Sequence, residues 1–146
     1  MRTAYYDTNY LFKLQCQEEG SSQVQAHANG VDQLFCALHG KAEFISAAHR
    51  KIREGSATKR DLEFLLAQLS ADTSAGGLCW LPVTDEIIDH IENIYRNAPA
   101  ATYLRAADAI HLACAAHAGF LEIFSNDKHL LAAAPLFGLH GVNVIS

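Results

Sequence analysis

The chain predicts an α/β protein of three layers, α/β/α, with a mainly parallel sheet between helices. Three observations lead there. Short apolar runs alternate with longer stretches of helical periodicity along the 146 residues. Those runs do not alternate in polarity, and strands covered on both faces need not. Half of the residues are hydrophobic and 18% are charged, enough to bury a core and inconsistent with a disordered or fibrous chain. The two most turn-rich loops, Glu18 to Ser22 and Ser74 to Gly77, are too short to part domains, so residues 1–146 read as one domain.

Thr3 to Tyr6 gives the first strand, and a helix follows from Thr8 through Leu14. Gln23 to Asp32 reads as a weakly patterned helix and Leu34 to Ala37 as a short second strand. Ala42 to Glu54 reads as a helix stopped at Gly55, a favoured residue just past a helix end. Thr58 caps the next helix, with Asp61 three residues on as its capping-box partner, and that helix runs to about Ser70. Cys79 to Val83 is strand-like. Thr84-Asp85-Glu86 then supplies a cap and two acids for the positive end of a helix through Tyr95. Leu104 to Ala118 is a strongly apolar helix ended by Gly119; Leu121 to Phe124 is a strand, Asp127 to Ala133 a short helix, and Val142 to Ile145 a closing strand.

Eleven Lys and Arg against sixteen Asp and Glu give a formal charge of −5, which argues against a sequence-independent coater of nucleic acid. Five of those eleven cations (Arg50, Lys51, Arg53, Lys59, Arg60) fall within residues 50–60, and such a run is most simply a solvated helix end. The four cysteines are scattered without a C-x-x-C pair, so a zinc site of the usual spacing is not expected. Three lie in apolar surroundings, as small core residues do. Reduced thiols, no apolar run near the roughly 20 residues of a membrane span, and a start without a signal-peptide pattern lead to the expectation of a cytoplasmic protein.

Ligands of open parallel sheets bind beyond the carboxyl ends of the strands, so acids just after strands draw attention. Asp7 follows the first strand and Asp127 follows Ser125-Asn126; either alone is explained as a helix N-cap. Asp108 is harder to explain, because it sits among alanines on a helix with little polar surface. A buried carboxylate must find a partner or stay protonated. Arg105, one turn back, offers an ion pair, and His111, one turn on, is another candidate partner; a lone His on an apolar face is more often a hydrogen-bonded structural residue than a ligand. Glu43 sits near a helix start, where the dipole favours it, and also beside alanine at helical spacing. Were the four acids gathered at one end of the sheet, their mutual repulsion would call for a hard divalent cation such as Mg²⁺. Such a site can activate water and stabilise the leaving oxygen of a phosphodiester. Without those four acids the formal charge would be −1, and the basic run could then lie along a phosphate backbone.

At these residues the chain resembles PIN-domain ribonucleases, and more narrowly VapC-type toxins of bacterial toxin–antitoxin pairs. Tyr5-Tyr6-Asp7-Thr8-Asn9 is similar to the family's first strand and first acid. The stretch from His39 to Phe44, continued by His49 to Gly55, resembles the segment carrying the family's Glu, here Glu43. Arg105-Ala106-Ala107-Asp108-Ala109-Ile110-His111 is similar to the family motif R-x-x-D-A-[IL]-H, and Ser125-Asn126-Asp127 resembles the fourth-acid region. The resemblance implies a sheet in the order 3-2-1-4-5 and cleavage of RNA that depends on Mg²⁺, with Mn²⁺ able to substitute. Asp7 and Asp108 would be the principal metal ligands; Glu43 would bind through water or orient the nucleophile. Asp127 would complete the acidic cluster, with Ser125 and Arg105 auxiliary. Cleavage would leave a 5′-phosphate and a 3′-hydroxyl. The resemblance further implies a homodimer and a small cognate antitoxin, VapB-like, held between the first helices (Leu11, Phe12, Leu14) and the helix after Thr58 (Leu62, Leu65, Leu66, Leu69).

A reading from another class is a non-catalytic interaction module, in which the acids are caps and ion pairs and the chain reaches operator DNA through a bound antitoxin. A phosphotransferase of the haloacid-dehalogenase type is disfavoured, because Asn9 stands where that chemistry wants a second acid, and no phosphate-cradling glycine loop is present.

Overall fold

The computed structural model describes residues 1–146. Three parallel strands start the sheet: β1 (Thr3–Tyr5), β2 (Gln33–Ala37) and β3 (Leu78–Leu81), with β2 in the middle. A second parallel pair, β4 (Glu122–Phe124) and β5 (His140–Val142), joins them through a bridge between Tyr6 and Phe124. The Asp7 amide also donates to the Phe124 carbonyl, at 3.1 Å. The strand order is therefore 3-2-1-4-5, and it reverses between β1 and β4.

Seven helices cover the sheet: α1 (Thr8–Gln15), α2 (Ser21–Ala28), α3 (Leu38–Arg53), α4 (Lys59–Ser74), α5 (Asp85–Asn97), α6 (Ala106–His117) and α7 (Lys128–Ala133). Successive strand residues point to opposite faces, and this splits the core in two. Tyr5, Ala37 and Ile123 face a cluster built with α5, α6 and α7. Ala4, Tyr6, Cys36 and Phe124 face the other, built with α1 to α4. Cys36 and Cys114 are buried and all four cysteines are free, in keeping with their apolar surroundings. No helix is long and apolar enough to cross a membrane.

The capping boundaries follow the sequence closely. Thr58 and Asp61 form the reciprocal capping box of α4, and Thr84 caps α5. Other boundaries differ from expectation: α4 runs on to Ser74 rather than Ser70, α5 to Asn97 rather than Tyr95, and β3 is Leu78–Leu81 rather than Cys79–Val83. α2 starts and ends earlier, because Asp32 already donates its amide to the Arg2 carbonyl at 2.8 Å, at the edge of the sheet. α3 starts at Leu38 rather than Ala42, because β2 runs into it with Ala37 as the N-cap and no loop between. α6 starts after Arg105, the N-cap residue. The last strand is His140–Val142, not Val142–Ile145. Gly138, at φ 73°, ends a 3₁₀ turn (Ala134–Phe137), and the His140 amide then pairs with the Leu121 carbonyl at 2.9 Å.

Candidate metal centre and its neighbours

The reversal of strand order between β1 and β4 opens a cleft at their carboxyl ends, the general position for ligands in such sheets. The cleft has a volume of about 420 Å³, and Ala107 is the one hydrophobic residue among the ten that line it. Asp7, Glu43, Asp108 and Asp127 all line it. Four acids spread over 120 residues of chain are thus brought to one place.

Asp7 leaves β1 and caps α1, taking the Tyr10 amide on Oδ1 at 3.0 Å. Its Oδ2 accepts the Ser125 hydroxyl at 2.5 Å. Ser125 in turn accepts the Asp127 amide at 2.9 Å, which ties the ends of β1 and β4 to one hydroxyl. Asp7 is 3% exposed. Burial pushes its carboxyl up to about 6, against the pull of the Ser125 hydrogen bond and of His111. No arginine or lysine reaches it.

Asp108 and Asp127 are held by one cation. Arg105 donates from Nε to Asp108 Oδ2 at 3.1 Å and from Nη2 to Asp127 Oδ2 at 2.8 Å. Asp127 also caps α7, accepting the His129 and Leu130 amides on Oδ1 at 2.8 and 3.2 Å. Burial raises the Asp108 carboxyl, with Arg105 pulling the other way. The ion pair read from the sequence between Arg105 and Asp108 is present, and it reaches Asp127 as well.

Glu43 lies in the second turn of α3. Its Oε1 accepts the Thr8 hydroxyl at 2.8 Å and His111 Nε2 at 2.8 Å, with His39 Nε2 at 3.5 Å. Burial alone would raise the Glu43 carboxyl; the hydrogen bonds from His111 and Thr8 and the nearby imidazoles outweigh it and hold the group at about 2. The tightest set of metal-type donors is therefore not the four acids but His39, Glu43 and His111, whose ligating atoms lie within 4.8 Å of one another. Hydrogen-bond accounting gives this set a different role. The Tyr5 hydroxyl already accepts the Ala37 amide at 2.9 Å, so its proton goes to His111 Nδ1 at 2.7 Å. That leaves His111 with the proton on Nε2, aimed at Glu43. His39 Nε2 is likewise spent on the Ala107 carbonyl at 3.0 Å. The reading of His111 as a hydrogen-bonded structural residue holds, and its partner is Glu43 rather than Asp108. Tyr5, Thr8 and His39 escaped sequence reasoning; the one signal was the four-residue spacing of His39 and Glu43.

Close approach makes this network possible. A Cβ on Gly40 would lie 2.6 Å from Cys36 Sγ and 3.1 Å from Thr8 Oγ1. The basic run divides. Arg50 alone among its five cations lines the cleft, Lys51 pairs with Glu18 at 3.7 Å, and Lys59 and Arg60 open α4.

A family model described as PIN domain matches residues 4–135. The chain belongs to the PIN-domain family. Two solved structures share this PIN fold at 14% identity. The crystal structure of Mycobacterium tuberculosis VapC20, described as a sarcin-ricin loop cleaving toxin, has a TM-score of 0.67, with 89% of this chain and 94% of that one covered. The structure of FitAB bound to an IR36 DNA fragment has a TM-score of 0.62, with 98% and 96% covered. Comparison with curated proteins finds no match.

Proposed function

We propose that this PIN protein is an endoribonuclease of the VapC toxin type, dependent on Mg²⁺ or Mn²⁺. The observation that carries the proposal is the convergence of Asp7, Glu43, Asp108 and Asp127 on one cleft at the point where strand order reverses. The donor set suits a hard cation. Asp108 Oδ1 and Glu43 Oε2 have no protein partner, and the Asp7 oxygens each keep a lone pair for an ion. Asp7 and Asp108 would be the direct ligands, with Asp127 and Glu43 completing the site. The ion, when bound, neutralises the acids and draws charge from the scissile phosphate.

The chain's own groups divide the remaining work. Ser125 fixes the Asp7 carboxylate. Glu43 is too weak a base at about 2 to drive proton removal, so it orients the attacking water through its free oxygen while His111 and Thr8 hold the other. Water attacks at phosphorus and gives up its proton to solvent, the bond to the 3′-oxygen breaks, that oxygen takes a proton from solvent, and a 5′-phosphate and a 3′-hydroxyl remain. Arg50 and Arg105 contact flanking phosphates. The protein acts on single-stranded or loop RNA in the cytoplasm, as a homodimer restrained by a VapB-like antitoxin. VapC20, with the same fold, is described as a toxin, and FitAB, also with this fold, is bound to a DNA fragment; both support this reading.

The test is to map RNA ends after incubation with the purified protein and Mn²⁺. New 5′-phosphate ends are expected, and Asp108→Asn should lower the cleavage rate by about a hundred-fold or more while leaving the fold intact. Equal cleavage by Asp108→Asn would overturn the proposal. A second reading has one observation in its favour: Asp7 and Asp127 are both helix caps, and Arg105 satisfies Asp108. On that reading the chain is a binding module without chemistry. Mn²⁺ should then give no rise in melting temperature, whereas a true ion site gains stability by mass action.

A further inference from the structure

A recess of different chemistry adjoins the acidic cleft. Its walls include Pro99, Thr102, Tyr103, His129 and Leu136. The Tyr103 and His129 rings lie 4.0 Å apart between centroids with planes 32° apart, so one face of the tyrosine is covered by the imidazole. Tyr103 is nonetheless 55% exposed, so much of the ring beyond the His129 contact meets solvent.

The stack is fastened to the cleft at both ends. Tyr103 precedes Arg105 by two residues and His129 follows Asp127 by two, a reach of at most about 7 Å of chain each. The His129 amide donates to Asp127 Oδ1 at 2.8 Å, and Arg105 closes the ring by its 2.8 Å bond to Asp127. The loop that carries Tyr103 is also pinned. The Tyr95 hydroxyl donates to the Leu104 carbonyl at 2.5 Å, and the Thr102 amide donates to the Pro99 carbonyl at 2.9 Å. A rigid loop thus presents a large aromatic face to water beside a guanidinium.

We propose that Tyr103, backed by His129, forms a subsite that stacks an unpaired nucleobase of the RNA next to the phosphodiester bound in the acidic cleft. The proposal rests on the ribonuclease reading of that cleft and adds to it the place where a flanking base is held. Every base has a flat π face, so an aromatic platform takes it without base-edge hydrogen bonds. The neighbouring Arg105 side chain is exposed enough to meet the phosphate that joins that base to the cleft.

The experiment uses the full chain carrying Asp108→Asn, with Mg²⁺, and a fluorescein-labelled unstructured RNA of about 12 nucleotides, read by anisotropy. Tyr103→Leu should weaken binding about ten-fold and Tyr103→Phe less than about two-fold, because the ring and not the hydroxyl stacks. Moving an abasic site along the RNA should find one position where the Tyr103→Leu penalty disappears. His129→Leu gives a second route to the same surface if Tyr103→Leu fails to fold. Equal affinity of the Leu and Phe variants, or a penalty that no abasic position removes, would overturn the subsite while leaving the nuclease reading standing. Failure of the wild-type protein to cut or bind RNA would overturn both. A Tyr103→Leu effect confined to binding of an antitoxin peptide would assign the surface to a protein partner and also overturn the subsite.

Discussion

Arg105 answers to two masters, Asp108 and Asp127, and both are candidate ion ligands. Its guanidinium stands in the cleft as a cation supplied by the chain, and a dication arriving there meets a positive charge already bound. Replacing it should shift that competition in a readable direction. In Arg105→Gln, Mn²⁺ affinity measured by calorimetric titration should rise by a few-fold, the scale expected of a solvent-screened charge interaction. RNA affinity should fall at the same time through the lost phosphate contact. A drop in Mn²⁺ affinity would show instead that Arg105 pre-positions the two acids for the ion. Asp7 differs in having no such surrogate: it is buried with a serine and an amide for company. That contrast makes Asp7 the residue with most to gain from the ion.

The elements that bring the acids together explain what the sequence discloses and what it hides. Helix starts announced by side-chain caps are legible: Thr58 with Asp61 for α4 and Thr84 for α5. Asp7 and Asp127 also cap the helices after β1 and β4, so their place at the sheet edge could be read directly. The start of α3 was hidden because no side chain caps it; Ala37 passes straight from strand to helix. The partner of Glu43 was hidden for another reason. His111 reaches it across 68 residues, and nothing local to either residue announces a contact set by the close approach of the two side chains in the folded chain. That approach depends on Gly40. Gly40→Ala would put a methyl group against Cys36, Thr8 and His111 at once. Two of those neighbours are the donors that fix Glu43. We expect a loss of about 1–3 kcal/mol in urea unfolding, the usual cost of an overpacked core. RNA cleavage should fall further than that loss explains, because Glu43 would lose its orientation. Wild-type cleavage by Gly40→Ala would mean that the fold tolerates a wider α3 and that the Thr8–Glu43–His111 network is dispensable.

At the scale of the whole molecule, the acids impose a pH dependence whose sign separates the ion-free protein from the loaded one. Asp7 has a folded value of about 6 against 3.8 for the free side chain, so between those values the folded state binds more protons than the unfolded one. Stability must then fall as pH rises from about 4 to about 6, and the deficit persists above that window. A shift of this size corresponds to about 3 kcal/mol. Asp108 is raised as well and acts with the same sign. Glu43 is lowered to about 2, and its contribution is present above the ordinary carboxylate range and lost only as pH falls below it, so it does not mask the Asp7 slope. Burial lowers His27, His39 and His90, which act with the opposite sign in this window, so the readout is a difference: in EDTA, the wild-type melting temperature should fall relative to that of Asp7→Asn from pH 5 to pH 7. Saturating Mn²⁺ at pH 7 should recover the loss, because an ion that binds the ionised acids removes the reason for their reluctance to ionise. A wild-type melting temperature that does not fall relative to that of Asp7→Asn over this interval in EDTA would show that the Asp7 carboxyl is already compensated by the chain, and the need for a dication there would vanish with it.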